Sequence, residues 1–270
     1  MSLDIRSALR RGYDDVTTEA GLNVFSVFLV FNVGYTAVSE SFRQGLRSWL
    51  ASGRPGTRPG AITTPPFGVE FLRFDLPLAL LAVLTVAVVL ANEAVRCWAI
   101  QAFVDRPVPA LLERGRVIVV VGGGVALLVF GIRQVLPAAW VGQGGAEILL
   151  VASAAGFAAA PMLLVTVYFT QEIALTEADS AEVVRNGLSR FRDTFVRIFG
   201  LLLILVLIGE LLLLPTAVLS RVTALRVGTT LWLLSEVLNH VLFAALSTFS
   251  TAVITEAYLQ SRTVDPDRGV

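Results

Sequence analysis

Four polar side chains interrupt the most apolar part of the sequence. Glu210 lies in one long hydrophobic run, Ile198 to Leu219. Glu236, Asn239 and His240 lie in the next, Val227 to Ala257. Glu236 and His240 are four residues apart, so on a helix they share a face, with Asn239 beside them. Glu210 is nine residues before Leu219 and Glu236 nine after Val227, which puts each about 13 Å from the turn between the runs at a rise of 1.5 Å per residue. An antiparallel pair of helices would bring all four to one level, and Arg133, near the end of an earlier run, could reach the same depth. A charged side chain at the centre of a membrane costs roughly 2.5–3.5 kcal/mol, so such groups face a bundle and are neutralised, paired or hydrated.

Three chemistries fit this set. The plainest is polar glue, in which the Glu and His side chains satisfy one another across helices. A second is a proton- or cation-coupled transport site. A third is a metal or catalytic site, since Glu and His at i, i+4 can hold zinc. Against the third, His240 is the sole histidine and Cys97 the sole cysteine of the chain. No Gly-x-Ser-x-Gly, Walker loop or dinucleotide glycine pattern occurs. The expectation is therefore no catalytic residue, no metal and no cofactor.

A second set of carboxylates recurs at the ends of hydrophobic runs: Asn92-Glu93-Ala94, Gln171-Glu172-Ile173 and Thr255-Glu256-Ala257. Arg10-Arg11-Gly12 and Arg185-Asn186-Gly187 each precede an apolar run by about ten residues, whereas the middle unit has only Arg114-Gly115 against its run. The pattern reads as three degenerate helical hairpins, each closing on a Glu at the same membrane face.

The elements that must hold these residues follow from composition. Of 270 residues 55% are hydrophobic and 16% charged, against about 25% charged in ordinary soluble domains; mean hydropathy is +0.75. The expected fold class is all-α: a polytopic helical bundle of six transmembrane helices, arranged as three hairpins in a single integral membrane domain, 1–270. The spans are Leu22 to Val38, Leu76 to about Phe103, Val117 to Leu136, Glu147 to about Leu175, and the two runs of the last hairpin. Two amphipathic stretches, 3–19 and 177–195, are expected as interfacial helices, the first capped by Asp4 or Ser2. Between the first two spans, 40–75 is expected as a flexible outer loop, rich in Pro and Gly from Gly53 to Gly68. Glu93 and Arg96, one turn apart, can pair. Gly122, Gly123 and Gly124 sit between apolar flanks and point to close helix packing rather than a phosphate loop.

Charge sets orientation and partners. The 21 basic residues are all Arg and match 21 acidic ones, so no basic field attracts nucleic acid. With both termini cytoplasmic, thirteen arginines lie inside and eight outside, which is the favoured sense of the positive-inside rule. Arg185, Arg190, Arg192 and Arg197 could then meet anionic lipid headgroups.

The Arg/Gly amphipathic segments, the six spans and the terminal Glu256-Ala257-Tyr258 together resemble uncharacterised six-span membrane proteins of halophilic archaea. Those are distantly similar to the membrane domain of glycerophosphodiester phosphodiesterases. The hydrolase domain of the latter has no counterpart here, so the resemblance carries over no catalytic residue. The loops also depart from halophile proteins in being charge-balanced rather than acidic. The functional expectation is a non-enzymatic scaffold or a lipid- or partner-interacting protein of the cell membrane. The alternative is a small-solute or ion permease built on the Glu/His cluster.

Overall fold

The computed structural model describes residues 3–52, 74–104, 108–132, 166–225 and 229–262, and every element among them is helical. In chain order they are α1 (Ile5–Val16), α2 (Glu19–Ser52), α3 (Leu78–Ala102), α4 (Gly115–Phe130), α5 (Phe169–Leu175), α6 (Ser180–Leu225) and α7 (Thr229–Arg262). Four of them, α2, α3, α6 and α7, are long and apolar enough to cross a membrane. The chain is thus a multi-pass membrane protein by the length and composition of its helices. The third expected span begins in α4, which at Gly115–Phe130 is a shorter apolar helix. The fourth is described only at its end, α5, and residues 133–165 lie outside the described residues.

Two boundaries differ from expectation. Helix α2 has 34 residues, about 51 Å at 1.5 Å per residue, and it carries Glu40 to Ser52 as helix where a loop was expected. Nothing in that stretch breaks a helix: Glu40 pairs with Arg43 one turn on and accepts a hydrogen bond from Gln44, and the Pro/Gly run starts only at Gly53. The rest of the expected loop, 53–73, lies outside the described residues. Likewise 177–195 is not a separate interfacial helix. From Ser180 it is the first third of α6, one continuous 46-residue helix. The change from polar to apolar side chains moves the chain into a different solvent but leaves the i→i−4 hydrogen bonds intact, and Pro215 lies inside the helix without ending it.

The start of the chain closes the bundle. Asp4 caps α1, its Oδ1 accepting from the Arg6 and Ser7 amides at 3.0 and 3.2 Å. Helix α1 then runs antiparallel along the last turns of α7: the Asp4 amide donates to Gln260 Oε1 at 3.0 Å, Gly12 packs on Val253, and Ala8 and Gly12 are buried. Helices α2 and α3 form a hairpin in which Ser41, hydrogen-bonded to Ala37 O, accepts from the Phe74 amide at 2.9 Å. The main core gathers where α1 and α5–α7 meet the end of α3 and the start of α4, around Ile100, Ile118, Tyr168, Ile173, Val183, Ile198, Leu201, Val253 and Tyr258. This end of the molecule is the base. Away from it burial is sparse: Val206, Leu207, Leu211 and Leu214 of α6 and Leu233, Leu234 and Val237 of α7 are exposed, as suits side chains solvated by lipid.

Candidate functional site

Each of the three repeated carboxylates meets an arginine. Glu172, 1% exposed, accepts from Arg190 Nε at 2.6 Å. Glu256 accepts from Arg11 at 2.7 Å, and Glu93, 4% exposed, from Arg96 at 3.0 Å. Two of these partners come from an amphipathic segment packed against the helix that carries the Glu: α1 on α7, and the start of α6 on α5. The spacing of Glu93 and Arg96 made their pair legible in the sequence. The other two join residues 245 and 18 positions apart.

The glycines flagged by the sequence make these contacts possible. A methyl on Gly12 would stand 2.9 Å from Val253 Cα and N. One on Gly187 would stand 2.5 Å from Phe169 Cδ1. Val253 and Phe169 each lie one turn before the repeated Glu, at Glu256 and Glu172. In the first hairpin Leu90 holds the same place before Glu93, and it abuts Gly123 of α4 rather than Gly115. Gly122, its neighbour, packs on Glu93 and Ile173. The close packing expected of the triple glycine thus holds at Gly122 and Gly123, while Gly124 faces open space. The common device is a glycine seated one turn before a carboxylate. At Gly12 and Gly187 it seats the neighbouring segment closely enough for Arg11 and Arg190 to reach the acid, whereas Glu93 is met by Arg96 of its own helix.

Around Glu172 the base is rich in buried polar groups. The Arg190 guanidinium stacks over the Tyr258 ring at 5.5 Å, a cation–π contact. Tyr258 packs on Tyr168 with ring centroids 5.7 Å apart, and Thr194 donates to the Tyr168 hydroxyl at 3.4 Å. Gln171 Oε1, Glu172 Oε2, Thr255 Oγ1 and the Tyr258 hydroxyl are buried with no hydrogen-bond partner among the described residues. Two further residues hold the end of α5: Arg114, which the middle unit's Arg114-Gly115 motif had marked without its role, and Gln101, which no motif marked. Arg114, 6% exposed, donates to Ile173 O at 3.2 Å and Ala178 O at 2.6 Å, and Gln101 donates to Ala174 O at 2.8 Å. They satisfy carbonyls that a helix C-terminus leaves open.

The outer polar set is arranged differently from expectation. Thr216 Oγ1 donates to Asn239 Oδ1 at 3.5 Å, and Gly209 faces Leu246, whose Cδ2 would lie 2.9 Å from an added methyl. Both contacts describe one register. It places Glu236 level with position 219 and Glu210 level with Ala245, so the two carboxylates differ in height by about 13 Å at 1.5 Å per residue. The expectation ended the helices at Leu219 and Val227, whereas α6 continues to Leu225 and α7 begins at Thr229, which slides one past the other. Glu210 is exposed, and Glu236, Asn239 and His240 are half-buried. His240 Nε2 is buried without a partner, and no hydrogen bond or ion pair joins any two of Glu210, Glu236 and His240 among the described residues. Arg133 lies outside the described residues.

No family model, curated protein or solved structure matches the chain. The side chains therefore carry the functional argument. Among the described residues no three His, Cys, Asp or Glu groups converge as metal ligands would. Of the four arginines expected at lipid headgroups, Arg190 is turned inward onto Glu172 and Tyr258. Arg185, Arg192 and Arg197 are exposed and form no ion pair among the described residues. In the same stretch of α6, Phe191, Phe195 and Phe199 form an aromatic ladder with centroids 5.3 and 6.1 Å apart. Exposed arginines and aromatic rings thus interleave along these turns, a combination suited to the interface where headgroups meet acyl chains.

Proposed function

We propose that the protein is a non-enzymatic, lipid-interacting scaffold of the cell membrane, with six spans in three hairpins and both termini cytoplasmic. The observation that carries this reading is the sorting of arginines on α6. Arg190 is used to lock the base, while Arg185, Arg192 and Arg197 stay exposed on the same stretch of helix as the phenylalanine ladder. In this reading the base faces the cytoplasm and the three cations hold anionic headgroups of the inner leaflet, each contributing about 1 kcal/mol near a charged surface. Carboxylates closed by arginines and glycine-seated contacts support a role in which rigidity at the base matters more than turnover.

The test is lipid selectivity. Native protein and the triple variant Arg185→Gln, Arg192→Gln, Arg197→Gln are placed in nanodiscs of mixed phosphatidylglycerol and phosphatidylcholine, and the co-purifying lipid is quantified. The native protein should enrich phosphatidylglycerol and the variant should lose that enrichment. Equal enrichment in both would remove the lipid reading. One observation favours the permease alternative: His240 Nε2 is buried without a partner one turn from Glu236. Solute and proton flux in proteoliposomes separates the two, since identical leak-level flux for the native protein and Glu236→Gln leaves transport no support.

A further inference from the structure

Glu210 is the sole ionisable residue between Arg197 and Arg221, thirteen residues from one and eleven from the other. It therefore sits near the middle of an apolar stretch about 36 Å long at 1.5 Å per residue. Its side chain is too short to reach either end. The rotation of α6 is fixed by its buried line, Ile198, Leu201, Leu205 and Gly209. Gly209 abuts α7 at Leu246, which turns Glu210 away from the bundle. It stands instead on the opposite face, exposed among Leu203, Val206, Leu207, Leu211 and Leu214, each more than half exposed. Hydrocarbon accepts a carboxyl group as the neutral acid and only with its hydrogen bonds met. No described helix of this chain offers Glu210 a partner.

We propose that this face of α6 binds the same face of a second copy, with the two Glu210 carboxylic acids hydrogen-bonded to each other across a two-fold axis. A second copy inserted in the same direction carries its carboxyl at the same depth by symmetry. A carboxylic acid is self-complementary, each O–H donating to the other's C=O, as an isologous contact requires. The leucines and valine around Glu210 supply the close-packed surround on both sides. Polar groups of this kind join helices within membranes.

Association is read by energy transfer between labelled copies in liposomes, over a series of protein-to-lipid ratios. The native protein should dimerise. Glu210→Gln, whose amide is also self-complementary, should retain the dimer. Glu210→Leu, which adds apolar surface on a lipid-facing position, should weaken it roughly 3- to 18-fold, the range of measured interhelical hydrogen bonds in membranes. In a Cys97→Ser background, Leu207→Cys and Leu214→Cys should cross-link between copies, and Val83→Cys, exposed on α3, should not. A native protein that stays monomeric overturns the proposal. So does a Leu variant as tightly associated as the native form, a Gln variant as weak as the Leu variant, or cross-linking through Val83→Cys instead of α6.

Discussion

At the base, Glu172 and Glu256 each meet an arginine from a neighbouring helix; farther along the last hairpin, Glu210, Glu236 and His240 meet none among the described residues. The same residue types thus sit in two regimes within one pair of helices. At the base glycines seat one element closely on the next, and the register sets an arginine beside each acid. Farther along, α6 and α7 also pack closely, at Gly209 and Leu246, but their register spreads the polar groups along some 13 Å of height. A buried acid with a partner is a structural clamp. An acid on a lipid-facing surface is an invitation to something outside the chain.

The contrast can be broken most severely at Glu172. Glu172→Leu strands the Arg190 guanidinium, whose side chain is 24% exposed, and should cost about 3 kcal/mol, as breaking a buried pair does. Denaturant titration in detergent micelles reads this loss. The double variant with Arg190→Leu should recover part of it, because neither charge is then left alone. If Glu172→Leu is as stable as the native protein, the clamp reading of the base is wrong.

Next comes the contact between α1 and α7. Gly12→Ala presses a methyl against the Val253 backbone and should cost about 2 kcal/mol through overpacking. It should also separate Arg11 from Glu256. Gly34→Ala, where an added methyl meets open space, is the control and should leave the melting temperature unchanged or slightly raised. The smallest effect belongs to Glu256→Gln. Its partner Arg11 is 65% exposed, so water already screens the pair, and the loss should be about 0.5 kcal/mol. A large loss there would mean that α1 is held by charge rather than by the Ala8 and Gly12 packing.

Particular residues show what was legible beforehand. The Glu93–Arg96 pair and the Asp4 cap follow from local spacing and were readable. So was the special status of Gly12, Gly187, Gly122 and Gly123, but not what they touch. Arg190 was grouped with Arg185, Arg192 and Arg197 as a headgroup ligand, because on a helix drawn alone all four are simply basic. Its inward turn depends on Glu172 and Tyr258 arriving from α5 and α7. The division of 177–225 into an interfacial helix and a span failed for a different reason. A change of polarity is not a helix boundary: a helix ends where its hydrogen-bonding or backbone geometry is interrupted, and neither happens at Arg197.

What the sequence determined by itself is the class of the molecule: helices long and apolar enough to cross a membrane, marked at one end by recurrent Glu and by arginine beside glycine. Transfer into hydrocarbon is close to a sum over residues, so it can be read one residue at a time. The tertiary structure alone decided the pairing of Glu172 with Arg190 and Glu256 with Arg11, the register that separates Glu210 from Glu236, and the outward aim of Glu210. Those depend on how side chains of distant segments interlock. A slide of a few residues or a rotation of one helix leaves the hydrophobicity of the chain unchanged and alters every one of them.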